Sequence, residues 1–216
     1  MAGMADSPED RTARARIRDA ALWHFGEHGF DRATIREIAE TAGVSSGLVR
    51  HHFGSKEALR EACDAHLAEL LRQINERVRA DPTADGMNPV ALARAAIGTY
   101  QRYLARALTE GRATPLFDMM VDLGQQWLDE ADARRADPPG ADSRTRAAVG
   151  TAMALSVLVL QQQLTRVLGV DVSSAEGDRL LASALIDIYS RPMLGTEEAA
   201  AMRTALGLEP DDQRRS

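Results

Sequence analysis

Apolar residues recur at intervals of three and four positions along most of this chain, a pattern that predicts helices. In the first such segment Ile17, Ala21 and Phe25 share one face, and Gly29 suits the left-handed position at which a helix ends. Ser7, followed by proline and two acids, predicts the start of this helix. No segment shows the sustained alternation of a strand, so the pattern predicts an all-α protein.

Two short helices joined by a tight turn are predicted next. Thr34 and Glu37 have the spacing of a capping box, which opens the first of them. Gly43 turns the chain, Ser45 caps the second helix, and Ser55 caps a longer helix that follows at once. In a helix-turn-helix the second helix enters the DNA major groove, so this spacing favours a DNA-binding protein.

Breaks that contain proline and glycine divide the remaining chain into further helices. The breaks are predicted at 81–89 and 137–140, and a polar tail is predicted from Glu209. With the three helices above, about nine to ten are expected. The later ones are predicted over 56–79, 89–110, 114–136, 143–168, 175–190 and from 196 onward.

The distribution of charge supports DNA binding by the helix-turn-helix segment. The net charge of −6 argues against a general affinity for nucleic acid. Residues 11–56, however, carry eight basic and five acidic side chains, a local charge of +3. The rest of the chain is acidic, so electrostatics favour DNA contact at this segment alone.

Composition narrows the class of protein further. The single cysteine, Cys63, excludes an internal disulfide and is either a small buried hydrophobe or a redox sensor. The longest apolar run, residues 147–160, is shorter than the roughly 20 residues of a membrane-spanning helix. The charged N-terminus lacks the apolar core of a signal peptide, so we expect a soluble, cytoplasmic protein.

The second helix of the motif supplies the side chains expected to read DNA. Apolar residues at 44, 48, 49 and 53 would hold it in place, and Gly47 would permit close approach to the duplex. Arg50 could pair with guanine or bind a phosphate. Helix N-termini at Thr34 and Lys56 favour phosphate contacts. The predicted DNA contacts are Thr34, Arg36, Ser45, Ser46, Gly47, Arg50, His51, His52 and Lys56.

Three local patterns agree in order and spacing over residues 11–70. They are a first helix running from Ile17 to Gly29-Phe30, the turn Ala42-Gly43-Val44-Ser45, and the segment His52-Phe53-Gly54-Ser55-Lys56. Together they resemble the tetracycline-repressor-like (TetR/AcrR) family of bacterial transcriptional regulators. One position departs from that family: many members have a tyrosine where this chain has Arg50, so their base preference does not carry over.

The resemblance implies a ligand-responsive regulator, by family habit a repressor, in two domains. We expect a three-helix helix-turn-helix DNA-binding domain at 8–55. A helical ligand-binding and dimerisation domain follows at 56–210, and a flexible tail at 211–216.

The residues of the second domain fit a homodimer. Its helices at 143–168 and 175–190 are apolar on broad faces that a second chain could cover in a four-helix interface. Two recognition helices about 34 Å apart would then read a palindromic operator. The predicted dimer contacts are Val157, Leu160, Leu181, Leu185 and Ile188.

A small hydrophobic effector would control DNA binding by favouring one spacing of the recognition helices. Mostly apolar walls with few polar groups suit such a ligand, although the same residues could simply form the core. The predicted lining is Tyr100, Tyr103, Phe117, Met120, Leu123, Trp127, Met153 and Gln161.

Other classes of function have weaker support. No glycine-rich phosphate loop or Gly-x-Ser-x-Gly elbow is present, so we expect no enzyme and no cofactor. His24 and His28 have the spacing of a metal pair but lack a third ligand, and we interpret them as surface histidines. A helical adaptor without specific DNA binding, or an activator of the same fold, remains the alternative.

Overall fold

The computed structural model describes residues 8–80, 98–136, 139–191 and 193–208. Within these ranges it contains ten α-helices, one short 3-10 helix at Gly98–Tyr100 and no strand, which confirms the predicted all-α class. The helices are α1 (Pro8–His28), α2 (Ile35–Thr41), α3 (Ser46–Phe53), α4 (Lys56–Ala80), α5 (Gln101–Thr109), α6 (Thr114–Asp132), α7 (Ser143–Val159), α8 (Gln161–Leu168), α9 (Ala175–Ser190) and α10 (Thr196–Ala205).

Helix α1 is the centre of the first compact unit, which comprises the described part of Met1–Met120 together with Ala154–Leu160. It packs against α2, α3, α4 and α5. Ile17 and Leu22 on α1, like Leu59 and Leu67 on α4, are at most 1% exposed. Burial of each such side chain contributes about 1.5–3 kcal/mol, so this packing fixes the helix-turn-helix on α1.

Gly26 allows α1 and α5 to approach closely. A Cβ atom built at this position would lie 2.9 Å from the backbone nitrogen of Tyr103 and 3.3 Å from the carbonyl carbon of Arg102. Beside it, Arg106 Nε donates to the Gly26 carbonyl oxygen at 3.0 Å. The glycine and the arginine therefore attach the last turns of α1 to α5.

The second compact unit comprises Val121–Met153 and the described part of Gln161–Ser216. Two ion pairs join α7 to α6 within it: Arg144 Nη1 lies 2.9 Å from Asp122 Oδ1, and Arg146 pairs with Asp132. At the start of α9, Ser174 Oγ accepts a hydrogen bond from Gly177 N at 3.1 Å. The predicted helix at 175–190 is confirmed by this cap and by the observed bounds of α9.

Two predicted helices differ in extent from those observed. The helix expected over 89–110 is seen as the 3-10 turn at Gly98–Tyr100 and α5, while 89–97 lie outside the described residues. Helix α6 ends at Asp132 rather than near 136, because the chain turns at Ala133 and Arg134. The predicted cap at Ser7, the loop at 81–89 and the tail from Glu209 also lie outside the described ranges.

The helix predicted over 143–168 is two helices. The chain turns at Leu160, and α7 and α8 meet there at a bend of 70°. Neither glycine nor proline stands at this break, so the sequence carried no signal for it. Within the described ranges no single helix is long and apolar enough to cross a membrane, and only this bent pair, taken together, reaches that length and composition.

Candidate nucleic-acid interface

The turn between α2 and α3 is built as the sequence predicts. Gly43 has a left-handed φ of 66°, and the next residue, Val44, donates its N–H to the Ala39 carbonyl oxygen at 2.9 Å. Ser45 then caps α3 by accepting a hydrogen bond from Leu48 N at 3.1 Å. The glycine and the cap therefore set the direction in which α3 leaves α2.

Helix α3 is anchored along one side and free along the other. Val49 and Phe53 are buried in the core of the first unit. The predicted DNA contacts on α3 and at its cap divide into two groups: Ser46 and His52 are half-buried, whereas Ser45, Gly47, Arg50 and His51 are exposed. The exposed group forms one polar surface, which we call the α3 face.

Gly47 is not required by the fold of the protein itself. A Cβ atom built there would meet only Ser45 Oγ, at 3.7 Å, which is an ordinary van der Waals contact. Its backbone is not left-handed either, unlike that of Gly43. The missing side chain therefore serves no packing purpose inside the protein.

The cations of the helix-turn-helix fall into two classes. Arg32, Arg36 and Arg50 are exposed and have no hydrogen bond or ion pair to any described residue. Arg18, by contrast, pairs with Asp19 at 3.3 Å. The charges of Arg32, Arg36 and Arg50 are therefore available to an external anion.

The side chain of Thr34 caps the start of α2. Its hydroxyl accepts a hydrogen bond from Glu37 N at 3.2 Å and the Thr34 backbone N–H donates to Glu37 Oε2 at 3.0 Å, which confirms the capping box. The hydroxyl also donates to Glu37 Oε2 at 2.7 Å. The bonds that the Thr34 hydroxyl and backbone N–H donate to the Glu37 carboxylate hold its pKa below the ordinary value. A phosphate at this helix start, as predicted from the sequence, would have to lie beside that carboxylate.

Lys56 has partners that the sequence did not indicate. Its Nζ donates to three backbone carbonyl oxygens, those of Phe30 at 2.9 Å, Asp31 at 3.3 Å and Ala33 at 3.1 Å. It also lies 4.5 Å from the centroid of the Phe30 ring. The three donors of the ammonium are thus directed at the loop between α1 and α2, and not at the solvent where a phosphate was expected.

The interpretation of His24 as a surface residue is wrong, whereas His28 is exposed as expected. The His24 side chain is 6% exposed, and its Nε2 lies 2.8 Å from Thr41 Oγ1 on α2. Burial, followed by the charge of His28, lowers its pKa. The spacing of seven from Ile17 places it on the buried face of α1, and this signal could have been used.

Cys63 is fully buried, which fits the first of the two interpretations left open by the sequence. Its Sγ lies 3.7 Å from the Arg18 carbonyl oxygen. Burial raises the pKa of the thiol well above its ordinary value. A thiol without solvent access or thiolate character is a poor redox sensor.

The predicted effector residues divide between the two compact units. The structure buries Tyr103, leaves Trp127 and Met153 exposed, and half-buries the rest. The first unit contains Tyr100, Tyr103, Phe117 and Met120, and the second contains Leu123, Trp127, Met153 and Gln161.

A small pocket of about 10 Å³ lies in the first unit between α1, α4 and α5. Of the predicted effector residues it includes Tyr103 alone. A pocket of this size holds about one water molecule. It is therefore too small for an organic effector in this conformation.

Comparison with known proteins agrees with this geometry. Residues 17–63 match the family of bacterial regulatory proteins of the tetR type. The chain is 43% identical over 143 residues to the HTH-type transcriptional regulatory protein RaaS of Mycobacterium tuberculosis. That match covers 64% of this chain and 66% of RaaS, so the chain spans just under two thirds of this curated relative.

Two solved structures share the fold. The fatty acid degradation regulator FadR of Bacillus halodurans matches 88% of this chain and 98% of its own, with a TM-score of 0.58 at 16% identity. NalD, the secondary repressor of the MexAB-OprM multidrug efflux pump in Pseudomonas aeruginosa, matches 81% and 94%, with a TM-score of 0.52 at 22% identity. From its helix-turn-helix, its curated relatives and its fold, the chain belongs to the TetR family of bacterial regulatory proteins.

Proposed function

We propose that this protein is a ligand-responsive transcriptional repressor that binds a palindromic DNA operator and is released by a small hydrophobic effector. The observation that carries the proposal is the α3 face, where an unpaired Arg50 stands beside Ser45, Gly47 and His51 on a helix anchored in the core. A rigid helix that presents such a surface can enter the major groove. The family and its named regulators support the same function and not that of an enzyme.

The DNA contacts follow from which side chains are available. We assign base contacts to the α3 face, with Arg50 directed at guanine. Arg36 is exposed and unpaired and would bind a phosphate. Ser46 and His52, both half-buried, would contact DNA at the edge of the α3 face. Thr34 would contribute through the backbone of the α2 start, because its hydroxyl serves the capping box.

A homodimer would supply a second recognition helix, which would read the second half-site of the operator. We propose residues 8–55 as the DNA-binding domain, 56–210 as the effector and dimerisation domain, and 211–216 as a tail. In the single chain Leu160 and Ile188 are exposed and Val157, Leu181 and Leu185 are half-buried, which supports their covering by a second copy. A protein that acts on bacterial DNA works in the cytoplasm.

The effector would bind among side chains that the 3-10 turn at Gly98–Tyr100 and helices α6, α7 and α8 supply. Tyr100, Phe117, Met120, Leu123, Trp127, Met153 and Gln161 are retained as the proposed lining. Tyr103 is a core residue in the described structure and would affect the site without lining it. The named functions of FadR, a fatty acid degradation regulator, and NalD, an efflux pump repressor, favour a largely apolar ligand.

Selection of bound genomic fragments, followed by Arg50→Ala, tests the proposal. We expect the selected operator to lose roughly 10- to 100-fold in affinity, the cost of one bidentate base contact, with the dimer intact. Arg72→Ala is the control, since Arg72 is also an exposed arginine but lies on α4, outside the α3 face, and pairs with Glu69 at 3.8 Å. Operator affinity unchanged in Arg50→Ala, or no specific fragment selected at all, would overturn the assignment, the second outcome favouring an adaptor.

A further inference from the structure

The ammonium of Lys56 is saturated by the loop that joins α1 to α2. Three carbonyl oxygens within 3.3 Å accept its three N–H bonds, so none is left for a further partner. We propose, on the basis of the DNA-binding function above, that Lys56 is a positioning residue that sets the recognition helix and is not itself a phosphate contact.

The loop needs such a donor because it lies partly inside the protein. Phe30 is 7% exposed and Ala33 is 1% exposed, while the loop starts from the left-handed Gly29 and leaves the helical hydrogen-bond pattern. A buried carbonyl that loses its partner costs about 1–3 kcal/mol. If the Lys56 ammonium moved to a phosphate, the carbonyl oxygens of Phe30 and Ala33 would both lose this hydrogen bond.

The Phe30 ring strengthens this attachment. It is surrounded by three cations: Lys56 Nζ at 4.5 Å, Arg112 Cζ at 4.6 Å and Arg60 Cζ at 6.0 Å from its centroid. A cation over an aromatic face is attracted by the ring quadrupole, more strongly where water is excluded. The ring therefore favours the inward orientation of Lys56.

The location of Lys56 in the chain links this attachment to α3. Lys56 is the first residue of α4, two residues after Gly54, which ends α3 with a left-handed φ of 77°. The loop that it binds ends at Thr34, the cap of α2. One side chain thus joins the end of α1, the start of α2 and the start of α4, and holds the helix-turn-helix at a fixed angle to α1.

Two variants separate positioning from phosphate binding. Lys56→Met keeps the length of the stem and removes the donors. Lys56→Arg keeps a charge that binds phosphate at least as well, but its planar guanidinium does not match three carbonyls arranged around one nitrogen. The measurements are thermal stability, and affinity for the selected operator and for unrelated DNA as a function of salt, at temperatures where each variant is folded.

We expect both variants to lose roughly tenfold in operator affinity, the cost of misplacing a base contact, with affinity for unrelated DNA and its salt slope nearly unchanged. Arg36→Met is the control for a phosphate contact. It should weaken binding to both DNAs alike, and the slope of log affinity against log salt concentration should become less steep by about 0.9. If Lys56→Met does not fold, Lys56→Arg still decides the question.

Three results would overturn the proposal. Full operator affinity in Lys56→Arg, or equal losses on both DNAs with a smaller slope in Lys56→Met, would show a phosphate contact. Lower thermal stability with both affinities unchanged would show a role in the fold alone. A wild-type protein that selects no operator would overturn the proposed function, and this inference with it.

Discussion

The phenol of Tyr103 donates a hydrogen bond to the carboxylate of Asp64, and this buried pair joins α5 to α4. Arg60 Nη1 completes the group at 2.6 Å from Asp64 Oδ2. Burial outweighs both of these partners and raises the pKa of the Asp64 carboxyl. Because α4 begins at Lys56, a shift of α5 would reach the helix-turn-helix through this pair and through the contact of α1 with α5.

Tyr103→Phe should lower the free energy of unfolding by about 1–3 kcal/mol, because Asp64 loses a hydrogen-bond donor in a largely buried site. The measurement is urea denaturation. Tyr100→Phe is the matched control: its hydroxyl donates to the exposed Asp19 at 3.3 Å, and its loss should change stability by about 0.5 kcal/mol or less. Equal effects in the two variants would contradict a structural role for the buried pair.

Gly47→Ala should separate stability from DNA binding. The new methyl group has room in the free protein, so we expect the free energy of unfolding to rise by up to about 1 kcal/mol from helix propensity. Operator affinity should fall, since the methyl group would stand between α3 and the groove. Calorimetry and operator titration measure the two effects.

Gly150→Ala serves as the comparison for that variant. A Cβ atom at Gly150, inside α7, also meets no atom within 4 Å, so it should give a similar gain in stability. Its operator affinity should stay at the wild-type value. Gly47→Ala protein that bound the operator as tightly as wild type would show that α3 does not approach DNA closely at this position.

His24 should make stability depend on pH below neutrality. Its folded-state pKa lies below the ordinary value of 6.5, so the unfolded chain takes up the proton first as the pH falls. The free energy of unfolding therefore decreases between pH 6.5 and the folded-state pKa, and is fully retained above this window.

Urea denaturation of wild type and His24→Gln across this window measures the effect. Glutamine keeps a polar group for Thr41 but takes up no proton, so the variant should show a weaker decrease. Part of the decrease should remain, because burial also lowers the pKa of His66. Identical pH profiles would refute a contribution from His24.

Cys63 should be inert in the folded protein. A disulfide reagent added at neutral pH should react only as fast as the protein unfolds, since the thiol is buried and its pKa is raised. In denaturing urea the same thiol should react at once. Rapid modification of the native protein, followed by loss of operator binding, would instead establish the redox sensor that the sequence left open.

The sequence indicated those features that neighbouring residues decide among themselves. The capping box at Thr34 and Glu37 and the cap at Ser45 each involve a hydrogen bond across three positions, so their spacing alone predicts them. The outward position of Arg50 follows from helical periodicity in the same way. The location of α3 and of its exposed surface therefore follows from residue spacing alone.

Only the tertiary structure decided what the longer side chains contact. Lys56 reaches carbonyls 23 to 26 positions away, His24 reaches Thr41 17 positions away, and Tyr103 reaches Asp64 39 positions away. The charge and hydrogen-bonding groups of these residues are the same on a surface or in a core. What differs is the packing of α1 against α2, α4 and α5, because it removes water from some groups and leaves others exposed.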